Sequence, residues 1–252
     1  MNATLASMPR GSHLRIALLI SCAGALSALL AMPYVLALMP ALERSVAGHV
    51  PLFVAAQTLQ VFVLFFLLGW AGLRLGAPFG LDAPLLRRAL GQTSAPWISA
   101  WPRAVLLGVA AGVACIIVTL LMPLQVAGFG QPSWWQGLLS SFYGGIGEEI
   151  LCRLFLVSLL VWIAARLTGT THPGRRVYLR AIVIAAVLFG VGHLPALAMA
   201  GALTPPNIAL VVGLNALCGS VFGWLFWRYG IEHAMVAHFS ADIVLHVVAP
   251  LF

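Results

Sequence analysis

Long apolar runs constrain this chain more than any other feature of its sequence. A helix that crosses a bilayer needs about 20 predominantly apolar residues, and seven runs of about that length or longer follow one another along the 252 residues. They cover residues 14–42, 51–73, 104–127, 138–167, 181–200, 208–227 and 234–252. We therefore predict an all-α, polytopic membrane protein with seven transmembrane helices, or eight if the first run or residues 77–103 form a re-entrant segment.

The composition excludes the main alternatives. Hydrophobic residues make up 62% of the chain and charged residues only 8%, whereas a soluble domain is about a quarter charged. Four cysteines in so long an apolar chain do not form a disulfide framework. The runs are unbroken, and they lack the alternation of about 10-residue segments that is typical of a transmembrane β-barrel.

The positive charge predicts membrane topology. The net charge is +7, but no basic run is interleaved with aromatic residues, so we expect no nucleic-acid partner. Arg44 stands alone on one side of the predicted spans, and eleven arginines occupy the connections on the other side, which by the positive-inside rule is cytoplasmic. These are Arg10, Arg15, Arg74, Arg87, Arg88, Arg103, Arg166, Arg175, Arg176, Arg180 and Arg228. The N-terminus is then cytoplasmic and the C-terminus outside.

The N-terminal region leads to two expectations. Residues 1–13 are left out of the fold prediction because they resemble a cloning remnant. We expect the first span to be retained in the protein and to be kinked at Pro33.

Between spans two and three, an apolar stripe beside two arginines predicts an amphipathic helix on the membrane surface, with tryptophans following it. The stripe is Leu81, Leu85, Leu86 and Leu90, the arginines are Arg87 and Arg88, and the tryptophans are Trp97 and Trp101.

Ionisable side chains inside the predicted spans indicate a functional site. Each such group costs at least about 2.5 to 3.5 kcal/mol at the centre of a bilayer, so these groups must face one another or a wet cavity. They are Glu148, Glu149 and Arg153 in span four, His193 in span five, and His238, Asp242 and His246 in span seven.

Helical spacing divides the two adjacent glutamates. Glu149 and Arg153 are four residues apart, in the order that favours an ion pair. Glu148 is rotated by about 100° from Glu149 in an α-helix, so it is not stacked on that arginine. We therefore expect a structural Glu149–Arg153 pair and a free Glu148 carboxylate that can act as a general base.

The same spacing recurs in the other two spans. Phe189 and His193 are four residues apart, and Pro195 should distort the helix just beyond them. His238, Asp242 and His246 form one polar stripe, in which a carboxylate can orient a neighbouring imidazole. Three spans thus present polar groups to a common interior.

These residues resemble the motifs of a family of intramembrane endopeptidases, the CAAX prenyl protease and bacteriocin-processing (CPBP or Abi) family. Residues 148–153 (EEILCR) are similar to its EExxxR motif, residues 189–193 (FGVGH) to FxxxH, and residues 238–242 (HFSAD) to HxxxN/D. The resemblance covers residues 140–247. It divides the chain into N-terminal membrane helices, 1–137, and a catalytic core, 138–252.

The resemblance implies the chemistry of the site. Glu148 would activate a water molecule for attack on a peptide carbonyl, while His193 and His238, with Asp242, would bind the water or stabilise the oxyanion. Glu149, Arg153 and Phe189 would support them. The four catalytic residues are also an acceptable zinc set with an open position, so the cofactor is either none or zinc, and the metal-free mechanism is favoured.

The expected partners are the lipid bilayer and a membrane-associated peptide or protein substrate. The compact, arginine-rich chain favours the cytoplasmic membrane of a bacterium. Two other functions stay open at this stage: a catalytically silent scaffold or immunity protein, and a proton-coupled transporter, since buried carboxylates and histidines also mark ion paths. We expect Cys152 to be a small packing residue, and His233 and His246 to be ordinary polar residues near a cavity mouth or an interface.

Overall fold

The computed structural model describes residues 10–93, 99–122 and 129–251, and within these ranges the regular structure is helical throughout. Three stretches are π-helical, with hydrogen bonds from i to i+5: Tyr143–Glu148, Ile150–Val157 and Ile243–Val248. The α-helices are α1 (Arg10–Leu38), α2 (Pro40–Val46), α3 (Val50–Gly76), α4 (Pro84–Ala89), α5 (Trp101–Leu121), α6 (Trp134–Phe142), α7 (Ser158–Thr168), α8 (Arg175–Val191), α9 (Leu194–Met199), α10 (Pro205–Tyr229) and α11 (Ile231–Asp242).

The prediction of an all-α membrane protein with seven spans is confirmed. In the described part of the chain, seven helical stretches are long and apolar enough to cross a membrane, and the eighth span that we kept open is not among them. The seven stretches are His13–Leu38, Val50–Phe79, Trp101–Leu121, Trp134–Thr168, Arg175–Met199, Pro205–Tyr229 and Ile231–Leu251.

The first and third spans differ from their predicted bounds. Helix α1 contains Pro33, where we predicted a kink, and continues to Leu38, where a break separates it from the short helix α2. The cause of the break is a second proline, Pro40, which is tolerated in the first turn of α2 but not inside a continuing helix. Helix α5 begins at Trp101 and ends at Leu121, earlier at both ends than predicted, and residues 123–128 lie outside the described ranges.

The predicted surface helix between spans two and three is wrong in its extent and in the placement of Arg87. Only Pro84–Ala89 is helical, and Leu81 and Arg87 are buried. The Arg87 guanidinium forms an ion pair with Asp82 and donates to Gln92 Oε1 at 3.1 Å. A local carboxylate that neutralises the arginine overrides the amphipathic pattern, because a paired charge can be buried. Trp97, which we placed at the interface, lies outside the described residues.

Span four departs from regular α-helical geometry. Its middle consists of the two π-helical stretches, separated only by Glu149, where we expected a continuous α-helix. Glycines on the first stretch allow other groups to approach closely: a Cβ atom on Gly145 would lie 3.0 Å from the carbonyl oxygen of Met235. π-Helical turns are rare and are frequent at functional sites. Here Glu148 ends the first stretch and Glu149 lies between the two.

Helix α5 packs directly against the backbone of α11. A Cβ atom at Gly108 would lie 2.0 Å from the carbonyl oxygen of Ala237, and one at Gly112 would lie 2.9 Å from that of Ala241. Glycines four residues apart let two membrane helices approach through their backbones. This contact fixes the position of the helix that carries His238 and Asp242.

Candidate active site

A cavity of about 500 Å³ lies among helices α1, α5, α8, α10 and α11 and the first π-helical stretch. Its lining includes Glu148, His193, His238 and Asp242, the four residues predicted to be catalytic. Three separate spans therefore bring these side chains to one internal space. The rest of the lining is mainly apolar.

His238 stands between two carboxylates on the cavity side. Its Nε2 atom lies 3.6 Å from Oε2 of Glu148 and 3.7 Å from Oδ1 of Asp242. These distances are longer than a direct hydrogen bond, and they leave the Glu148 carboxylate, 23% exposed, facing the cavity. Phe222 stacks on the His238 ring with centroids 4.6 Å apart, which holds the plane of the imidazole.

Glu149 has more than the structural role that we predicted for it. Its ion pair with Arg153 is present, with Oε1 2.9 Å from Nη1, and both side chains are buried. The same Oε1 atom also lies 2.7 Å from Nδ1 of His238. An ionised carboxylate can only accept, so Nδ1 carries the proton of this hydrogen bond, and the Nε2 atom is left for the cavity. Glu149 therefore orients His238 as well as neutralising Arg153.

Aromatic rings and a glycine surround the buried Arg153 side chain. The guanidinium carbon lies 4.8 Å from the centroid of Phe189 and 5.4 Å from that of Phe222. Both contacts are within the range of cation–π attraction. A Cβ atom at Gly219 would lie 3.0 Å from Nη2 of Arg153, so this glycine leaves the room that the side chain occupies. Phe189 thus supports the charged pair, as the resemblance implied.

His193 lies at a break between two helices. Helix α8 ends at Val191 and α9 begins at Leu194 with Pro195 in its first turn, so the predicted distortion is present. The Nδ1 atom of His193 donates to the carbonyl oxygen of Phe189 at 2.9 Å, and the histidine lines the cavity. Because Nδ1 carries the proton in that bond, Nε2 is available as an acceptor on the neutral ring.

Gly144 is a site residue that the sequence analysis missed. A Cβ atom there would lie 2.0 Å from Oδ2 of Asp242 and 3.2 Å from Nε2 of His238. Any other residue would enter the space that these two side chains use. The signal was present in the run of glycines before Glu148, but nothing in the sequence paired that run with span seven.

Tyr34 and His246 also belong to the cavity, and neither was predicted to take part in the site. The hydroxyl of Tyr34 lies 3.2 Å from Nδ1 of His246, and Nε2 of His246 lies 3.9 Å from Oδ1 of Asp242. Tyr34 comes from α1, far from the motifs in sequence. His246 was expected near a cavity mouth or an interface, and it lines the cavity with 36% of its side chain exposed.

The remaining residues that we singled out have packing roles. Cys152 is buried, as expected of a small packing residue. His233 was expected near a cavity mouth or an interface, but its side chain is fully buried. Its Nε2 atom accepts a hydrogen bond from the backbone N–H of Ala100 at 3.1 Å, and its ring stacks on Trp101 with centroids 4.2 Å apart.

A metal ion needs several donor side chains arranged around one point. Across the described ranges, no group of three or more His, Cys, Asp or Glu side chains is arranged to hold one. The carboxylate oxygens of Glu148 and Asp242 lie 3.6 and 3.7 Å from Nε2 of His238.

Comparison with known proteins supports the resemblance read from the motifs. Residues 130–244 match the model of a family described as type II CAAX prenyl endopeptidase Rce1-like. The matched range contains all three motifs. No curated protein and no solved structure matched the chain.

Proposed function

From the similarity of residues 130–244 to Rce1-like CAAX prenyl endopeptidases, we propose that this multi-pass membrane protein is an intramembrane endopeptidase with Glu148 as its base. The observation that carries the proposal is the division of labour between two adjacent glutamates. Glu149 is engaged by Arg153 and His238, whereas Glu148 faces the cavity. A carboxylate that is directed into a cavity beside two histidines suits general-base chemistry.

The proposed reaction is hydrolysis of a peptide bond. Glu148 accepts a proton from a water molecule as the water oxygen attacks the peptide carbonyl carbon, and the carboxylic acid then returns that proton to the leaving amine. His193 and His238 bind the water or the oxyanion that forms on the carbonyl oxygen. Asp242 faces Nε2 of His238 and stabilises positive charge on that ring.

We propose that this reaction does not use a metal ion. The support is that the described part of the chain contains no group of three or more His, Cys, Asp or Glu side chains arranged to hold a metal ion. Turnover of the purified protein should then be unaffected by a strong chelator. Loss of activity on chelation that zinc restores would show that zinc is required and would overturn this part of the proposal.

The substrate is proposed to be a membrane-associated peptide or the tail of a membrane protein. The cavity lining is mainly apolar and lies within the spans, which suits a segment that is partitioned into the bilayer. We place the protein in the cytoplasmic membrane of a bacterium, where peptide precursors and membrane-protein tails are available.

The decisive experiment replaces the base and retains its shape. The full chain, purified in detergent, is assayed with an internally quenched fluorogenic peptide library that includes prenylated CAAX peptides. Glu148→Gln should lower turnover by about 10²- to 10⁴-fold, the range typical of general acid–base catalysis, while yield and thermal unfolding stay unchanged. Glu43→Gln, at an exposed position on α2, is the matched control.

The scaffold function is the alternative that this experiment separates. If Glu148→Gln retains full biological function in cells, the carboxylate is not used for chemistry and the endopeptidase proposal is wrong. A protein that binds a membrane partner would tolerate this change, because the glutamine keeps the size and most of the hydrogen bonding of the glutamate.

A further inference from the structure

Tyr34 and His246 are polar cavity residues for which the proposed reaction has no role. Their rings meet edge to face, with centroids 5.4 Å apart, and the tyrosine hydroxyl lies 3.2 Å from Nδ1 of the histidine. They come from opposite ends of the sequence and meet at the cavity wall beside Asp242. The contact is thus a specific one between two spans.

The direction of the hydrogen bond fixes the tautomer of His246. When the Tyr34 hydroxyl donates to Nδ1, the proton of the neutral imidazole is on Nε2. That Nε2 atom lies 3.9 Å from Oδ1 of Asp242. A small rotation of either side chain would bring this N–H to the carboxylate.

The carboxylates at the site create a need for such a donor. Glu148, Glu149 and Asp242 all surround His238, while Arg153 contacts only Glu149 among them. An ionised aspartate can accept hydrogen bonds but cannot donate them. Buried polar groups without partners are costly. Nε2 of His238, at 3.7 Å, is beyond direct hydrogen-bond distance of Asp242, so this carboxylate needs an N–H donor from another residue.

The Tyr34 end of the contact is held in place by α6. The side-chain amide of Gln136 donates to the backbone carbonyl oxygen of Pro33 at 3.0 Å, and its Oε1 atom accepts from the backbone N–H of Ser133 at 2.8 Å. The residue that precedes Tyr34 is therefore tied to the start of α6. This tie gives the hydroxyl a fixed position from which to orient an imidazole.

We propose that Tyr34 and His246 are positioning residues that hold the Asp242 carboxylate in its orientation toward His238. The Tyr34 hydroxyl fixes the tautomer of His246, and the Nε2–H of His246 then faces Oδ1 of Asp242, the same oxygen that faces His238. This role rests on the proposed endopeptidase function, but it adds two residues from outside the three motifs to the machinery.

The experiment compares two replacements of His246. Phenylalanine keeps the ring and removes both nitrogens, whereas glutamine keeps an N–H donor near the position of Nε2. Using the fluorogenic peptide that the wild type cleaves fastest, we expect His246→Phe to lower kcat by about 10- to 100-fold, as is common for residues that orient a ligating or catalytic group, with KM unchanged. His246→Gln should restore a large part of that loss.

A second comparison uses Asp242→Asn. The asparagine amide carries its own N–H donor, so the effect of His246→Phe on kcat should be small in that background. Tyr34→Phe should lower kcat in the wild type and have little effect beside Asp242→Asn. Equal losses in both backgrounds, or a glutamine variant as poor as the phenylalanine variant, would overturn the proposal.

A spectroscopic measurement stays informative if Asp242→Asn is itself inactive. The ¹⁵N spectrum of histidine-labelled protein should show His246 as the Nε2–H tautomer, and Tyr34→Phe should shift this equilibrium. A Nδ1–H tautomer in the wild type would contradict the proposal.

The two proposals can fail separately. Full activity of Glu148→Gln would reject the endopeptidase function. Full activity of His246→Phe, together with an inactive Glu148→Gln, would reject only the positioning role.

Discussion

At the scale of single residues, Glu149 shows how one buried carboxylate can serve two partners. Replacing it by glutamine removes the counter-charge of Arg153, which is buried against Phe189 and Phe222. Breaking a buried ion pair by removing one partner costs about 3 to 5 kcal/mol. Glu149→Gln should therefore lower the thermal stability and yield of the purified protein, which Glu43→Gln should not. Unchanged stability would show that Arg153 does not need this partner.

A second residue-scale prediction concerns Gly144. The Cβ atom of an alanine there would collide with the far end of the Asp242 side chain, which can move away, so the helix should still pack. A displacement of about 1 Å in an active site can cost about 10²-fold in rate. We expect Gly144→Ala to fold normally and to lose turnover on that scale. Gly213→Ala, where no atom lies within 4 Å of the new methyl group, is the control for kinetics and thermal unfolding.

The sequence was informative about residues that interact within one helix. Spacing predicted the Glu149–Arg153 pair and the stripe from His238 to His246, because neighbours four residues apart meet on one face. It could not predict that Glu149 reaches His238, 89 positions away. Such a contact depends on how two helices cross, and the sequence of either helix alone does not specify that crossing.

At the scale of secondary-structure elements, the contact between α5 and α11 sets the position of His238. Gly108 approaches a backbone carbonyl of α11, and a methyl group there cannot be relieved by rotating a side chain. Overpacking a closely packed site typically costs about 1 to 3 kcal/mol. Gly108→Ala should lower the unfolding temperature and shift α11 enough to reduce turnover. An effect no larger than that of Gly213→Ala would show that the two helices can separate without cost.

Periodicity predicted where the spans lie but not how their middle turns are wound. The apolar run of span four is compatible with either α or π hydrogen bonding, because an apolar composition does not distinguish the two. The observed π-helical turns accompany glycines that contact α11 and Tyr143. Such winding is a response to tertiary packing, so a pattern read from one helix does not contain it. The early end of α1 was readable in principle from Pro40.

At the scale of the whole molecule, the connection between spans two and three is fastened to the start of α11. The backbone N–H of Ile231 donates to the carbonyl oxygen of Asp82 at 3.1 Å, and the N–H of Leu86 donates to Oε1 of Glu232 at 3.0 Å. With the contact of His233 to Ala100, three consecutive residues of α11 are held. The amphipathic pattern suggested lipid anchoring, but the hydrogen bonds are to α11, the helix that carries His238 and Asp242.

The topology predicts the membrane face toward which the cavity lies. Tyr34 is four residues before the end of α1, about 6 Å along the axis, and the lining continues to Leu38 and Phe129. The cavity therefore reaches the ends of the spans that adjoin the connection with Arg44. If the arginine distribution sets the orientation, this is the non-cytoplasmic face, and substrate should approach from there.

Reporter fusions test this orientation directly. Fusions in the connections after α4 and between α7 and α8 should be active with a cytoplasmic fluorescent reporter, because the helix ends that flank these connections carry arginines. Fusions between α2 and α3 and between α9 and α10 should be active with a phosphatase that folds only outside. The opposite pattern would mean that this end of the bundle, and the cavity with it, faces the cytoplasm. The geometry of Glu148 and His238 would be unchanged.

A cavity toward the outside predicts in addition that intact cells cleave an impermeant peptide added to the medium, and that cells carrying Glu148→Gln do not.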